Sequence, residues 1–160
     1  MGKMYKRIVK AIFFIYSNYG LLFLDFQKTE GAIMNKEEIV KNYLNHLANG
    51  NYQSIINLFA EDALVLSPLY GPMNPVSFYK ELFSDTSKST TTLKTIFTSA
   101  SQPNIAAAYF LYDWTKKDGS VVSFECVDVF TFDDDNKITK LSIIYDTYQT
   151  RIKFDKLKHL

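Results

Sequence analysis

Among the titratable residues of this chain, Asp128 is the one most strongly placed for chemistry. It sits in the run Val121–Phe132, where strand alternation puts it on one face with Val122, Phe124, Cys126, Phe130 and Phe132. A carboxyl inside an apolar stripe is costly unless it is paired or neutral. Two readings follow: a carboxylic acid of raised pKa that donates a hydrogen bond to a ligand oxygen, or a structural Asp satisfied by a tyrosine hydroxyl or by backbone. Tyr43, on the apolar face of a helix carrying Ile39, Val40, Leu44 and Leu47, reads by itself as a core Tyr whose hydroxyl needs a partner. Tyr145, on a strand face with Leu141 and Ile143, is a further candidate for the pocket wall, and Phe124 and Phe130 share the Asp128 stripe. His46 lies one turn from Tyr43 and reads as a boundary residue rather than a base. Cys126 reads as a small core residue. Glu125 points to the face opposite Asp128, with Val121, Val127 and Val129, and is not expected to be catalytic.

Composition limits what these residues can serve. The 160 residues suit one domain with or without tails, and 47% hydrophobic and 16% aromatic residues, including 13 Phe and 11 Tyr, supply ample core. The net charge of +1 gives no global field for nucleic acid. Basic residues gather at the ends: Lys3, Lys6, Arg7, Lys10 and Lys28 before residue 34, and Arg151, Lys153, Lys156 and Lys158 after residue 146. The middle is acidic, the opposite of a nucleic-acid reader. One cysteine excludes an intramolecular disulfide and is compatible with a cytoplasmic location. Cys126 and the two histidines, His46 and His159, have no metal-ligand spacing, and no cofactor is implied.

The positioning elements follow from periodicity. Asn35 and Glu38 have capping-box spacing, and an amphipathic helix runs from there to Gly50. Ile55, Ile56, Leu58 and Phe59 mark a shorter second helix. Ala63–Ser67 is a short strand, Pro68, Gly71 and Pro72 form a loop, and Asn74-Pro75 opens a third helix with Phe78, Tyr79, Leu82 and Phe83. Ser87–Thr92 reads as a loop running into a strand. Strands are then expected at Thr91–Ala100, Ile105–Thr115, Val121–Phe132 and Ile138–Tyr145, with turns at 102–104, Asp118-Gly119 and 133–136. The expectation is an α+β, cone-shaped domain: three N-terminal helices packed in a strongly curved, mostly antiparallel sheet, leaving an aromatic cavity open at one end.

Residues 1–33 stand apart. A basic start and two apolar runs imitate a signal peptide, but Ser17 and Asn18 divide the run, no small-residue cleavage site follows, and the stretch is short for a membrane span. They are expected to be a dispensable N-terminal extension, non-native or targeting-like, with residues 34–146 the domain and 147–160 a basic, solvated tail.

Two segments carry a resemblance. YLNHLANGNYQSIINLFAEDALVLSPLYG (residues 43–71) and ECVDVFTFDDDNKITKL (residues 125–141) resemble the nuclear transport factor two-like superfamily, which includes ketosteroid isomerases and SnoaL-like polyketide cyclases. The resemblance spans about Asn35 to Asp146. It implies a pocket in which a helix Tyr and a protonated late-strand Asp bind a carbonyl oxygen; these fall on Tyr43 and Asp128. The family's proton-moving Asp, just before a Pro, falls on Ser67, and a second pocket Tyr on Tyr79. A Ser hydroxyl is no base near neutral pH without an activating partner, and no nucleophile elbow surrounds Ser67. With only Arg7 and Arg151 in the chain, the Asp-Arg-Asp arrangement of limonene epoxide hydrolases is not supported. The resemblance thus implies a small hydrophobic carbonyl-type ligand with isomerase- or cyclase-type activity; the alternative is a non-catalytic dimeric module with a filled pocket. Because Val121–Phe132 is apolar on both faces, a homodimer through the outer sheet face is expected.

Overall fold

The computed structural model describes residues 35–148, Thr150 and Arg151, and the backbone of Tyr16–Ser17 and Gly20–Leu21. The chain divides into two compact units, Met1–Ile33 and Met34–Leu160. In the first, β1 (Tyr16–Ser17) pairs antiparallel with β2 (Gly20–Leu21); the remaining expectations for residues 1–33, and those for 152–160, fall outside the described residues.

The second unit opens with α1 (Lys36–Asn49). Asn35 caps it, its side-chain oxygen accepting the Glu38 N–H at 2.9 Å, and Gly50 ends it in the left-handed conformation, φ 63°. α1 buries Ile39, Val40, Tyr43, Leu44 and Leu47, the stripe its spacing calls for. α2 (Tyr52–Ile56) is shorter than expected, because the chain is already strand at Phe59. β3 (Phe59–Ser67) therefore takes in Phe59, assigned to helix by period alone, and Gly71–Met73, expected as loop, is β4, which forms a hairpin with β3. α3 (Pro75–Asp85) starts as expected, with Asn74 accepting the Ser77 N–H at 2.9 Å and Pro75 in the first turn.

The remaining strands are β5 (Thr86–Thr98), β6 (Ile105–Lys116), β7 (Val121–Phe132) and β8 (Ile138–Ile144). β5 begins without the expected loop. Thr86 ties the junction, donating to the Leu82 carbonyl at 2.6 Å and accepting from the Trp114 indole at 2.8 Å. The hydroxyls of β5 also serve α1: Ser89 donates to the Leu47 carbonyl at 3.1 Å and Thr91 to the Leu44 carbonyl at 3.3 Å. The Leu47 carbonyl lies in the last turn of α1, where intrahelical donors run out. The Ser/Thr richness of this stretch thus builds a strand that holds a helix.

The sheet order is β4-β3-β8-β7-β6-β5. Every pairing is antiparallel except β3 with β8, which is parallel. Irregularities within β5, between Leu93 and Thr95, and near its start, between Thr86 and Lys88, bend the strand. The sheet curves around the helices without closing, the α+β cone expected. Its concave face carries Ala106, Ala108, Phe110, Tyr112 and Trp114 from β6 and Val122, Cys126, Asp128, Phe130 and Phe132 from β7, all buried. Immediately beyond β8, Thr150 and Arg151 pack back on the domain. A helical turn brings the Arg151 N–H to the Thr147 carbonyl at 2.8 Å. Thr150 is fully buried, and the Arg151 guanidinium donates to the Pro68 carbonyl at 2.6 Å. No helix among the described residues is long and apolar enough to cross a membrane.

Candidate functional site

Asp128 lies at the floor of the concave face, 1% exposed. Its position follows from the β6–β7 register, in which it pairs with Ala108 and the next inward residue, Phe130, pairs with Ala106. Two small residues on β6 leave room above β7, and the α1 aromatic Tyr43 occupies it. The Tyr43 ring stands edge-on to Phe130, centroids 5.0 Å apart, and its hydroxyl donates to Asp128 Oδ2 at 2.9 Å. Tyr79 of α3 donates in turn to the Tyr43 hydroxyl at 3.2 Å. On the other side the Cys126 thiol donates to Asp128 Oδ1 at 3.3 Å.

Burial pushes Asp128 up from its ordinary 3.8 to about 6, while the hydrogen bonds from Tyr43 and Cys126 pull it back. The pKa is raised, as an apolar stripe demands. The donors around it are held protonated: burial, then the nearby Asp128 charge, pushes the Tyr43 hydroxyl and the Cys126 thiol well above their ordinary values.

A cavity of about 50 Å3 opens beside this group. That is room for several waters, with aromatic side chains as most of the wall. Of the residues singled out in the sequence, Tyr43, Asp128, Ser67, Phe124 and Tyr145 line it. Tyr79 and Phe130 do not; they stand behind Tyr43 and hold it. Tyr145 stacks on Phe124, centroids 4.2 Å apart, and burial pushes its hydroxyl up to about 12. Ser67 accepts the N–H groups of Leu69 and Tyr70 at 3.3 and 3.2 Å, so its own proton remains to be donated. His46 is half-buried and absent from the lining. Glu125 is exposed on the convex face and pairs with Lys94.

Sequence reasoning missed Cys126, Tyr112 and Tyr70 as cavity residues. The first two were legible in the alternation that exposed Asp128: Cys126 is two residues before it, and Tyr112 follows the inward Phe110 by two. Tyr70 was not, because it hangs from the β3–β4 turn, where no period operates; its hydroxyl donates to Asp85 at 2.8 Å. No group of three or more His, Cys, Asp or Glu among the described residues could hold a metal ion.

The family profile of the SnoaL-like domain matches residues 40–141, from α1 through β8. The chain belongs to the SnoaL-like family. Solved structures agree with this domain in fold. An epoxide hydrolase/cyclase-like enzyme, SalBIII, described for its role in pyran ring formation in the polyether salinomycin, aligns at a TM-score of 0.61 with 18% identity over 69% of this chain and 90% of its own. A putative SnoaL-like polyketide cyclase from Shewanella denitrificans aligns at 0.60 with 14% identity over 78% and 98%. A nuclear transport factor two-like protein of unknown function from Burkholderia pseudomallei aligns at 0.64 with 12% identity over 73% and 95%. Among curated proteins nothing matches this sequence.

Proposed function

We propose that this SnoaL-like domain binds a small, largely apolar carbonyl-type molecule in its cavity and that Asp128 exchanges a proton with it, in isomerase- or cyclase-type chemistry. The observation that carries this reading is a buried carboxylate, held by Tyr43 and Cys126, in the wall of an aromatic cavity. A base is most effective with a pKa near the working pH, and burial brings Asp128 to about 6. Asp128 thus takes the proton-moving role that Ser67 cannot fill, while Ser67, Tyr112 and Tyr145 offer hydroxyls to the ligand. The names of solved relatives, an epoxide hydrolase/cyclase-like enzyme and a putative polyketide cyclase, support small cyclic oxygenated compounds as the ligand class. The single buried cysteine suits a reducing, cytoplasmic setting.

The test is proton exchange. Cyclohex-2-enone incubated with the protein in D2O should take up deuterium at its acidic carbons faster than in buffer. In Asp128→Asn the protein-dependent rate should fall by about 100-fold or more, the scale of a lost general base. An exchange rate unchanged in Asp128→Asn would end the catalytic reading.

The convex face supports a homodimer as a second reading. Register aligns Phe97, Ala107 and Val129 in one row across β5–β7, and Tyr109, Val127 and Ile144 in the next, across β6–β8. Phe97 and Ile144 are 56% and 57% exposed, a contiguous apolar surface of the kind that marks interfaces. Sedimentation at micromolar concentration should show a dimer, and the double variant Phe97→Glu, Ile144→Lys should sediment as a folded monomer. A monomeric parent chain would reject this interface.

A further inference from the structure

The hydroxyls of the cavity wall differ in what they already hold. Tyr43 lies within hydrogen-bond distance of Asp128, and each satisfies the other whichever of them keeps the proton. Tyr70 reaches Asp85 at 2.8 Å, and Ser67 takes the N–H groups of Leu69 and Tyr70. Tyr112 is different. It is 6% exposed, and its buried hydroxyl has no hydrogen-bond partner among the described residues. Ser89 comes near enough to act on that hydroxyl, but the two do not reach hydrogen-bonding geometry. The Ser89 proton goes instead to the carbonyls of Leu47 and Ala48, at 3.1 and 3.3 Å, groups that can only accept. A buried polar group without a partner is rare in a folded protein and costs free energy.

The sheet fixes where this hydroxyl points. Tyr112 pairs with Phe124 across β6–β7, and its ring stands edge-on to Phe110 and Phe124, centroids 6.4 and 5.6 Å away. The titratable groups around its hydroxyl, Asp128, Cys126 and Tyr145, all line the cavity that Tyr112 also lines. Burial pushes Tyr112 above its ordinary 10.0, against a smaller opposing pull from Ser89. Across the physiological range Tyr112 therefore has a proton to give, and the protein offers it no acceptor. Along β6 it stands two inward positions from Ala108, the residue paired with Asp128, and the Phe110–Cys126 pair lies between. A ligand oxygen held by Tyr112 leaves the rest of a small ring free to extend over that row toward Asp128.

We propose that Tyr112 is the oxygen anchor of the cavity: its hydroxyl donates to the carbonyl or ether oxygen of a small ring compound and selects such compounds over hydrocarbons of the same shape. This anchor presupposes the cavity-binding reading above and names the group that reads the ligand's oxygen. The family resemblance places that task on Tyr43 and Asp128, which the fold has joined to each other. A hydroxyl with no bond to give up gains more from a ligand acceptor than one that must first break a bond inside the protein.

Cyclohex-2-enone and cyclohexene, alike in ring size, test the anchor. Both are titrated into the isotope-labelled full chain and into Tyr112→Phe, and followed through the backbone amides of Phe110, Cys126 and Tyr145. The substitution keeps the ring and removes only the hydroxyl, so the change in the ratio of the two affinities isolates the hydrogen bond. That ratio, enone over cyclohexene, should be about tenfold lower in Tyr112→Phe than in the parent, the size of one hydrogen bond made in a buried site. Tyr145→Phe, which removes a second phenol from the same wall, should leave the ratio within about threefold of the parent. The urea midpoint of Tyr112→Phe should not fall, because the parent has no hydrogen bond there to lose. An unchanged ratio in Tyr112→Phe, or an equal loss in Tyr145→Phe, overturns the anchor while leaving the binding cavity standing. A lowered midpoint overturns it as well, since the hydroxyl would then be satisfied within the protein. Failure of both compounds to move these amides in the parent overturns the anchor and the cavity-binding reading together.

Discussion

Asp128→Asn is expected to stabilise the domain at pH 7.5 by about 3 kcal/mol while removing the carboxylate the site depends on. The magnitude follows from a folded-state pKa of about 6 against an ordinary value of 3.8. The sign is fixed by proton binding. Between pH 4 and 6 the folded state holds a proton that the unfolded chain has released, so stability falls as pH rises through that window. Below pH 4 Asp128 is neutral in both states and the cost is absent; above pH 6 it is complete. Asn is close to isosteric, can accept the Tyr43 hydroxyl and keeps no charge to desolvate. Urea unfolding of both proteins at pH 4 and 7.5 measures the effect as a difference between variant and parent. That difference cancels Glu125 and Asp118, whose pKa values are lowered by hydrogen bonds, from Lys94 and Ser120 respectively, and whose contributions run the other way. A variant-minus-parent difference that does not change with pH would show that the carboxylate carries no burial penalty. Stability sacrificed at a site in this way is common where activity needs a strained group.

Phe130→Ala should be strongly destabilising, by about 3–5 kcal/mol. Phe130 is fully buried. Its ring supports Tyr43 edge-on and stacks with Phe132, centroids 6.2 Å apart. Truncation leaves a void under Tyr43, which then has no wall fixing its hydroxyl on Asp128. Two readouts are expected to move together. The urea midpoint should drop, by an amount that is a large share of the roughly 5–15 kcal/mol holding a domain folded. The Asp128 carboxyl carbon, followed by NMR, should also titrate at higher pH than in the parent, because a hydrogen bond favouring the ionised form has been loosened. Phe130→Leu, which keeps most of the volume, should cost about 1.5 kcal/mol or less and leave the titration close to the parent value. A loss below about 1 kcal/mol for Phe130→Ala, well under the cost of an unfilled cavity, would mean that the neighbouring aromatics close over the gap and that Tyr43 is held by Tyr79 alone.

Much of this architecture is a local property and is legible in the sequence. Asn35, Gly50 and the Asn74-Pro75 pair mark helix ends because caps act within one turn of chain. Alternation along Val121–Phe132 separates the Asp128 face from the Val127 face because a strand's side chains change sides at every residue. Those two rules, with the resemblance of two segments to a family, located Tyr43 and Asp128 as partners 85 positions apart in the sequence. Three things were settled only in three dimensions. The parallel pairing of β3 with β8 depends on distant contacts, the Ile138 N–H on the Leu58 carbonyl and the Lys137 ammonium on the Asn57 carbonyl, and neither strand's composition encodes its neighbour. The return of residues 147–151 depends on a single backbone acceptor at Pro68 and on a burial site for Thr150, which a run of basic residues does not announce. The setting of Asp128 depends on which side chains reach it. An apolar stripe says that an acid is buried and its pKa raised, but only the tertiary structure brings Tyr43 and Cys126 within hydrogen-bond distance of its two oxygens and opens a cavity beside them.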